Sequence, residues 1–183
     1  RNRAAKVYEK AESFHLANIK EWAAVEKKTP EIENALTDAR IQLPKVLLEH
    51  AQLEGLDEAT RKRLLEEAIN HGSKLEWEGA ELPYAGAAIL GQCHTELGDF
   101  KTAENKLRFA VSLMEELRRN DIPLTAEYYR NIIVDAWIAL ARMFLKAGKA
   151  AEAEKEVDNA LSAIPQLETD PKGLLLKLEK ADA

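Results

Sequence analysis

The segment from Val134 to Pro165 limits the possible folds more than any other, because it reads as two helices of similar length joined by a very short hinge. Apolar residues recur at spacings of three and four along both halves, as they do in amphipathic helices. Gly148 lies in the hinge, and glycine adopts the left-handed conformation at a helix end more cheaply than any other residue. We therefore predict a tight antiparallel helical hairpin over this segment.

The same pattern of residue types occurs 50 residues earlier in the chain (137 − 87), without an internal gap. Ala87 to Gly98 aligns with Trp137 to Gly148 along the first helix and its hinge. Along the second helix, small or apolar residues align with residues of the same kind: Ala103, Leu107 and Ala110 with Ala153, Val157 and Ala160. The small residues Gly91 and Ala141 allow the two helices of each hairpin to approach closely. The chain therefore contains an internal repeat of one hairpin.

These spacings and residue types resemble the tetratricopeptide repeat, a family built from 34-residue helical hairpins. The second copy carries the family's residue types at Trp137, Leu140, Ala141, Phe144, Ala153, Val157, Ala160 and Pro165. The first copy, Tyr84–Leu117, matches at Leu90, Gly91, Ala103, Leu107 and Ala110, and departs at Ala87, His94 and Glu115. The resemblance implies a right-handed α-solenoid of antiparallel hairpins, in which the first helix of each hairpin lines a concave groove.

The rest of the sequence also favours helix, with proline and glycine marking the breaks. A break at Pro30, a break or bend at Pro44 and a stop at Gly55 separate predicted helices over residues 4–28, 30–43, 45–54 and 58–75. A short amphipathic helix over residues 172–180 suits a terminal cap, which gives an all-α fold of about nine helices. We expect N-terminal helices over residues 1–43, packing on or extending the array, and a repeat domain over residues 44–183. Within that domain, a degenerate third hairpin is predicted over residues 41–74, overlapping the boundary.

The 50-residue offset exceeds the family's 34-residue period by 16 residues (50 − 34). The excess falls between the two hairpins, from about Arg118 to Ile133, where we expect lengthened helices around a turn at Asp121–Leu124. Tyr128 and Tyr129 lie in this extension and either pack against it or form a contact surface. The extension is the largest departure from a plain solenoid.

Composition excludes several classes of function. A net charge of −6 argues against a nucleic-acid partner, which would require a basic face. The four histidines are not spaced as ligands on one helix turn, and the paired acidic residues alternate with lysine and arginine as on solvated helix faces. We therefore expect no metal, no cofactor and no catalytic site, and predict that the protein is not an enzyme.

Cys93 and His94 suggest a further alternative, a small-molecule sensor. The lone Cys93 cannot form an internal disulfide, and it reads as a small buried residue. His94 takes a position that the repeat family gives to an aromatic residue, so we expect it to pack inside the hairpin. A polar pocket around His94 would favour the sensor hypothesis. Trp77, between two glutamates, is the aromatic residue most expected to be exposed.

The resemblance implies that residues between the packing positions of the first helices face a partner. From these we select the polar candidates Gln92, Thr95, Asp135, Arg142 and Lys146. The expected function is a non-catalytic scaffold that binds another protein or peptide through the groove, or that self-associates. The family's clamp for chaperone carboxylates is not expected, because Ala88 and Ile138 stand where its polar residues would begin and Gln92 and Arg142 replace its usual asparagine.

Two alternatives concern the ends of the chain. In the first alternative, the chain's own N-terminal or C-terminal helix fills the groove. In the other, the first helix continues an upstream membrane anchor or forms a homotypic coiled coil, and a disordered tail before Arg1 is the alternative to the anchor. Basic residues such as Arg1 and Arg3 often flank the cytoplasmic end of a membrane span. The compartment stays open between the cytoplasm and a membrane-anchored or periplasmic location.

Overall fold

The computed structural model describes residues 2–75, 82–122, 127–164 and 167, and within these ranges it contains seven α-helices and no β-strand. The helices are α1 (Asn2–Ala23), α2 (Pro30–Ala51), α3 (Glu58–Leu75), α4 (Leu82–Glu96), α5 (Phe100–Arg119), α6 (Glu127–Lys146) and α7 (Ala150–Ala163). The all-α prediction is therefore confirmed for the described ranges. The predicted helix over residues 172–180 lies outside them, as do Trp77 and the side chain of Tyr128.

Helix α2 replaces two of the predicted helices, because it continues through Pro44 instead of breaking there. Proline has no amide hydrogen and crowds the carbonyl four residues earlier, which costs about 3 kcal/mol in a helix interior. Pro44 is itself buried, and the neighbouring side chains of Leu43, Leu47 and Leu48 are at most 4% exposed. Burial of these side chains stabilises the continuous helix by several kcal/mol and offsets the cost of the proline. The expected domain boundary between residues 43 and 44 therefore lies inside α2.

Helix α1 ends at Ala23, five residues before the predicted end at residue 28 (28 − 23). After Ala23 the amides of Ala24 and Val25 donate to Glu21 O and Trp22 O, three residues back, at 3.2 and 3.3 Å, so the α-helical pattern is lost there. Thr29 then caps α2 from an extended backbone conformation, with φ −79° and ψ 160°. The Ile32 amide donates a 3.4 Å hydrogen bond to the Thr29 hydroxyl oxygen. Pro30 follows in the first position of α2, where the absence of an amide hydrogen costs nothing.

The chain divides into two compact units, residues 1–89 and residues 90–183, with the boundary inside α4. In the first unit, α1 packs on α2, and α2 packs on α3 across a turn in which Gly55 has a φ of +80°. Fully buried Leu43, Leu64 and Leu65 lie in the core of this unit. His50 ties α1 to α2, because its Nδ1 lies 2.5 Å from Glu12 Oε1 and its ring stacks on Tyr8.

In the second unit, α5 packs on α6 and α6 packs on α7. Its core contains fully buried side chains from these three helices: Ala103, Leu107, Ala110, Ile133, Leu140, Ala141, Met143, Ala153, Val157 and Ala160. These include the aligned positions of both copies of the repeat, so the pattern of small and apolar residues predicted the core. Gly91 of α4 lies directly against α5, since a Cβ placed on it would come within 2.6 Å of Leu107 Cδ2.

The turns after α4 and α6 have the same hydrogen bonds, 50 residues apart. After α4, the Gly98 amide donates to Thr95 O at 3.1 Å and the Asp99 amide to His94 O at 2.9 Å. After α6, the Gly148 and Lys149 amides donate to Leu145 O and Phe144 O at 3.0 and 2.8 Å. Both glycines are left-handed, with φ values of +78° and +71°. The pattern is the glycine-based Schellman helix end, so the two hinges repeat at the level of individual bonds.

Helix α5 ends in the same way, but without a glycine. The Ile122 amide donates to Leu117 O at 2.9 Å, and the Asp121 amide donates to Arg118 O at 3.3 Å. Asp121 occupies the left-handed position with a φ of 52°, and it is the only non-glycine residue with positive φ in the described ranges. The predicted turn at Asp121–Leu124 therefore begins as expected, while residues 123–126 lie outside the described part of the chain.

Candidate functional site

An ion pair joins the last turns of α4 and α6, the first helices of the two hairpins. Lys146 Nζ lies 2.7 Å from Glu96 Oε2, and the two residues are 50 positions apart, so they occupy equivalent positions in the repeat. Contact between equivalent positions places the C-terminal ends of α4 and α6 side by side. The opposite charges at this pair of aligned positions were visible in the sequence, and sequence reasoning did not use them.

Gln92 and Arg142 lie one helical turn before this ion pair, on the same faces of α4 and α6 as Glu96 and Lys146. They are also equivalent positions in the repeat (142 − 92 = 50). Arg142 is exposed and Gln92 is half-buried. We name the surface formed by Gln92, Glu96, Arg142 and Lys146 the α4–α6 rim. Three of the five predicted binding residues lie in this rim.

The other two predicted binding residues are less accessible. Thr95 is 7% exposed, and its hydroxyl donates a 2.8 Å hydrogen bond to Gly91 O within its own helix. Asp135 is half-buried on α6, two turns before Arg142. Ile138, also on α6, is only 6% exposed. Gln92, Asp135 and Arg142 all have interaction partners, so the polar groups on these helices are already engaged.

A second ion pair joins α5 and α7, the second helices of the hairpins. Arg108 Nη1 lies 3.1 Å from Glu156 Oε1, and Asn159 Nδ2 donates to the other oxygen of Glu156 at 3.3 Å. Glu156 is 5% exposed, so its carboxylate depends on these donors. Burial alone lowers the pKa of Arg108, but its bonds to Glu104 and Glu156 raise that pKa above the usual value.

Sequence reasoning missed the Arg108–Glu156 pair, because it read Glu156 as part of a solvated acidic face. The two residues are 48 positions apart, two short of the repeat offset. A search for opposite charges near that offset would have found them.

Arg108 and Lys149 also lie over the ring of Phe144, 5.8 and 5.9 Å from its centroid. Phe144 fills the aromatic position of the second copy, and it is 3% exposed.

Cys93 and His94 have different surroundings. Cys93 is fully buried, and this burial, with a smaller contribution from the charge of Glu96, raises the pKa of its thiol to about 12. The thiol therefore stays protonated at neutral pH and is a poor nucleophile there. His94 is half-buried, with Nδ1 3.5 Å from Asp99 Oδ2. The sensor hypothesis for these two residues remains a prediction.

The first unit contains a cleft that sequence reasoning did not predict. It has a volume of about 170 Å³ and is lined by Ile19 of α1, Arg40 of α2, and His71, Lys74 and Leu75 of α3. We name it the basic cleft. Its residues lie on three helices and far apart in the sequence, so no local motif could have indicated it.

Helix α1 also exposes large apolar side chains on its outer surface, with Val7 60% and Phe14 62% exposed. The predicted coiled coil through this helix remains a prediction.

No helix within the described ranges is long and apolar enough to cross a membrane. Among the same residues, no group of three or more histidine, cysteine, aspartate or glutamate side chains is placed to hold a metal ion.

In comparisons with known proteins, no protein-family model, no curated protein and no solved structure matches the chain. The resemblance to the tetratricopeptide repeat therefore rests on the residues that carry it, and it remains a prediction.

Proposed function

We propose that the helices α4 to α7 form two stacked hairpins of the tetratricopeptide type, a short stretch of right-handed solenoid, and act as a non-catalytic scaffold. The partner is a segment of another protein, and it binds at the α4–α6 rim. The Glu96–Lys146 contact at 2.7 Å is the observation that carries this proposal. Hairpins that stack in register bring equivalent residues of their first helices together, as in solenoid repeats.

The charge of the rim favours an acidic partner segment. Glu96 and Lys146 neutralise each other, while Arg142, one turn away, is an exposed arginine that also takes part in another interaction. Arginine presents a planar fork of donors that matches a carboxylate. Leu97, which follows Glu96, is 38% exposed and offers an apolar contact beside these charges. A segment with an acidic side chain next to an apolar one complements this surface.

Reversing the charge of Arg142 tests this proposal. Arg142→Glu should leave the thermal unfolding curve close to that of the wild type, because Arg142 is exposed, and should weaken partner binding about tenfold or more through charge repulsion. Partners are first captured by cross-linking in the native host and identified by mass spectrometry. The affinity of the purified pair is then measured by calorimetry.

Arg118→Glu is the matched control, because Arg118 is an exposed arginine on α5 that, within the described part of the chain, pairs with Glu115 one turn earlier. This control should bind the partner as the wild type does. Equal affinities of both variants would contradict the proposed site. A protein that captures no partner beyond background, in the host and at native concentration, would contradict the scaffold function itself.

A further inference from the structure

The basic cleft combines positive charge with apolar walls. Arg40 and Lys74 reach it from two different helices, while Ile19 and Leu75 close its sides. Lys74 is exposed and forms no ion pair within the part of the chain that the structure describes. Arg40 takes part in another interaction as well, and it contributes its charge to the cleft wall. The cleft is thus locally positive in a chain whose net charge is −6.

The pKa of His71 is sensitive to the positive charge of the cleft. Burial lowers the pKa of His71, and the positive charge of Lys74 lowers it further, against the opposing charge of Glu67. Glu67 is held by Arg63 at 2.7 Å, on the preceding turn of the same helix. The imidazole is therefore uncharged at neutral pH and presents one N–H donor and one acceptor nitrogen to its surroundings.

The size of the cleft restricts what it can hold. A volume of about 170 Å³ is well below the roughly 300–1,000 Å³ of pockets for drug-sized ligands. It is sufficient for a compound of a few heavy atoms or for one residue of a peptide. A phosphate would turn some of its oxygens toward the apolar side chains of Ile19 and Leu75, where they would have no donor. A carboxylate with a short aliphatic chain matches both kinds of wall.

We propose that the basic cleft binds the carboxylate end of a short aliphatic group, either a free short-chain acid or the C-terminus of a peptide. Arg40 and Lys74 attract the carboxylate, and the His71 imidazole lies beside it. The aliphatic chain lies between Ile19 and Leu75. This site belongs to residues 1–89 and does not depend on the α4–α6 rim, so either proposal can fail alone.

The test uses nuclear magnetic resonance of the whole chain at neutral pH, following the His71 ring signal during a titration with butyrate. A saturable shift with a dissociation constant of about 1 mM is expected for a ligand of this size. Butyramide, which has the same shape without the charge, should shift the signal far less. A pentapeptide ending in valine, with a free or an amidated terminus, distinguishes the peptide from the free acid.

Lys74→Gln should weaken butyrate binding about threefold, because it removes one exposed charge from the wall. Lys62→Gln is the control, since Lys62 is 64% exposed on the same helix and does not line the cleft. Equal shifts with butyrate and butyramide, or no saturation by the free acid and the peptide, would overturn the proposal. Equal losses of affinity in both variants would overturn the assignment to this cleft.

Discussion

At the residue scale, the two hairpins have different side chains at the aligned positions of the first hairpin's closest helix contact. In the first hairpin, Gly91 lies against Leu107, and in the second the equivalent residues are Ala141 and Val157. Ala141 has one methyl group more than Gly91 on the first helix of its hairpin. Val157 has one carbon less than Leu107 on the second helix. Leu107, Ala141 and Val157 are fully buried, and Gly91 is also buried. The summed side-chain volume at the two aligned positions is therefore nearly the same in both hairpins, as close packing at an equivalent contact would require.

Asp121 is a residue at which the backbone limits stability. It holds a φ of 52° at the end of α5, where its side chain is exposed. Left-handed backbone costs a non-glycine residue about 1 kcal/mol or more, and aspartate less than most. Asp121→Gly should stabilise the protein by about 0.5 kcal/mol, measured as the free energy of unfolding in urea. Asp121→Val should destabilise it by more than that, and the opposite order would show that this turn is not formed.

At the scale of elements, the hinges and the ion pairs organise the second unit. Gly98 and Gly148 end α4 and α6 with the same pair of hydrogen bonds. The Glu96–Lys146 pair then joins the first helices, and the Arg108–Glu156 pair joins the second helices. The first of these pairs is partly exposed and contributes little to stability by itself. The second includes a buried carboxylate, so its loss should have a larger effect.

Arg108→Met should destabilise the protein by about 1–3 kcal/mol, because it leaves the buried carboxylate of Glu156 without its charged partner. Urea unfolding gives this difference directly. Adding Glu156→Gln should restore part of the loss, since a neutral amide costs less to bury than a carboxylate. Arg118→Met, at an exposed arginine, should change stability by less than about 0.5 kcal/mol. Equal effects at Arg108 and Arg118 would mean that Glu156 does not depend on Arg108.

At the scale of the whole molecule, the sequence predicted what depends on local spacing. The helical hinges at Gly98 and Gly148 and the buried positions on α5, α6 and α7 follow from glycine chemistry and helical periodicity, and both are found. The prediction of two separate helices around Pro44 was wrong, because the burial of Leu43, Leu47 and Leu48 outweighs the local cost of a proline and α2 continues through it.

The predicted binding surface depended on placement that periodicity alone does not give. Arg142 and Lys146 are exposed, whereas helical spacing did not indicate that Thr95 would be buried and bonded to Gly91. The basic cleft requires three helices to converge, so its residues carry no shared local signal. A charge comparison between the aligned copies would have revealed Glu96 and Lys146.

The central claim is that the two hairpins are equivalent units packed by the same rule, and exchanging their contact residues tests it most directly. Gly91→Ala alone should cost about 1–3 kcal/mol of unfolding free energy, because the added Cβ meets Leu107 and comes within 3.2 Å of Ala103 O. Leu107→Val alone should cost about 1 kcal/mol through lost burial.

The double variant introduces the residue pair of the second hairpin into the first, and its unfolding free energy in urea is the decisive measurement. We expect it to be more stable than the sum of the single effects predicts, by at least about 1 kcal/mol, because the shorter side chain makes room for the new methyl group. Strictly additive losses would contradict the equivalence of the two hairpins.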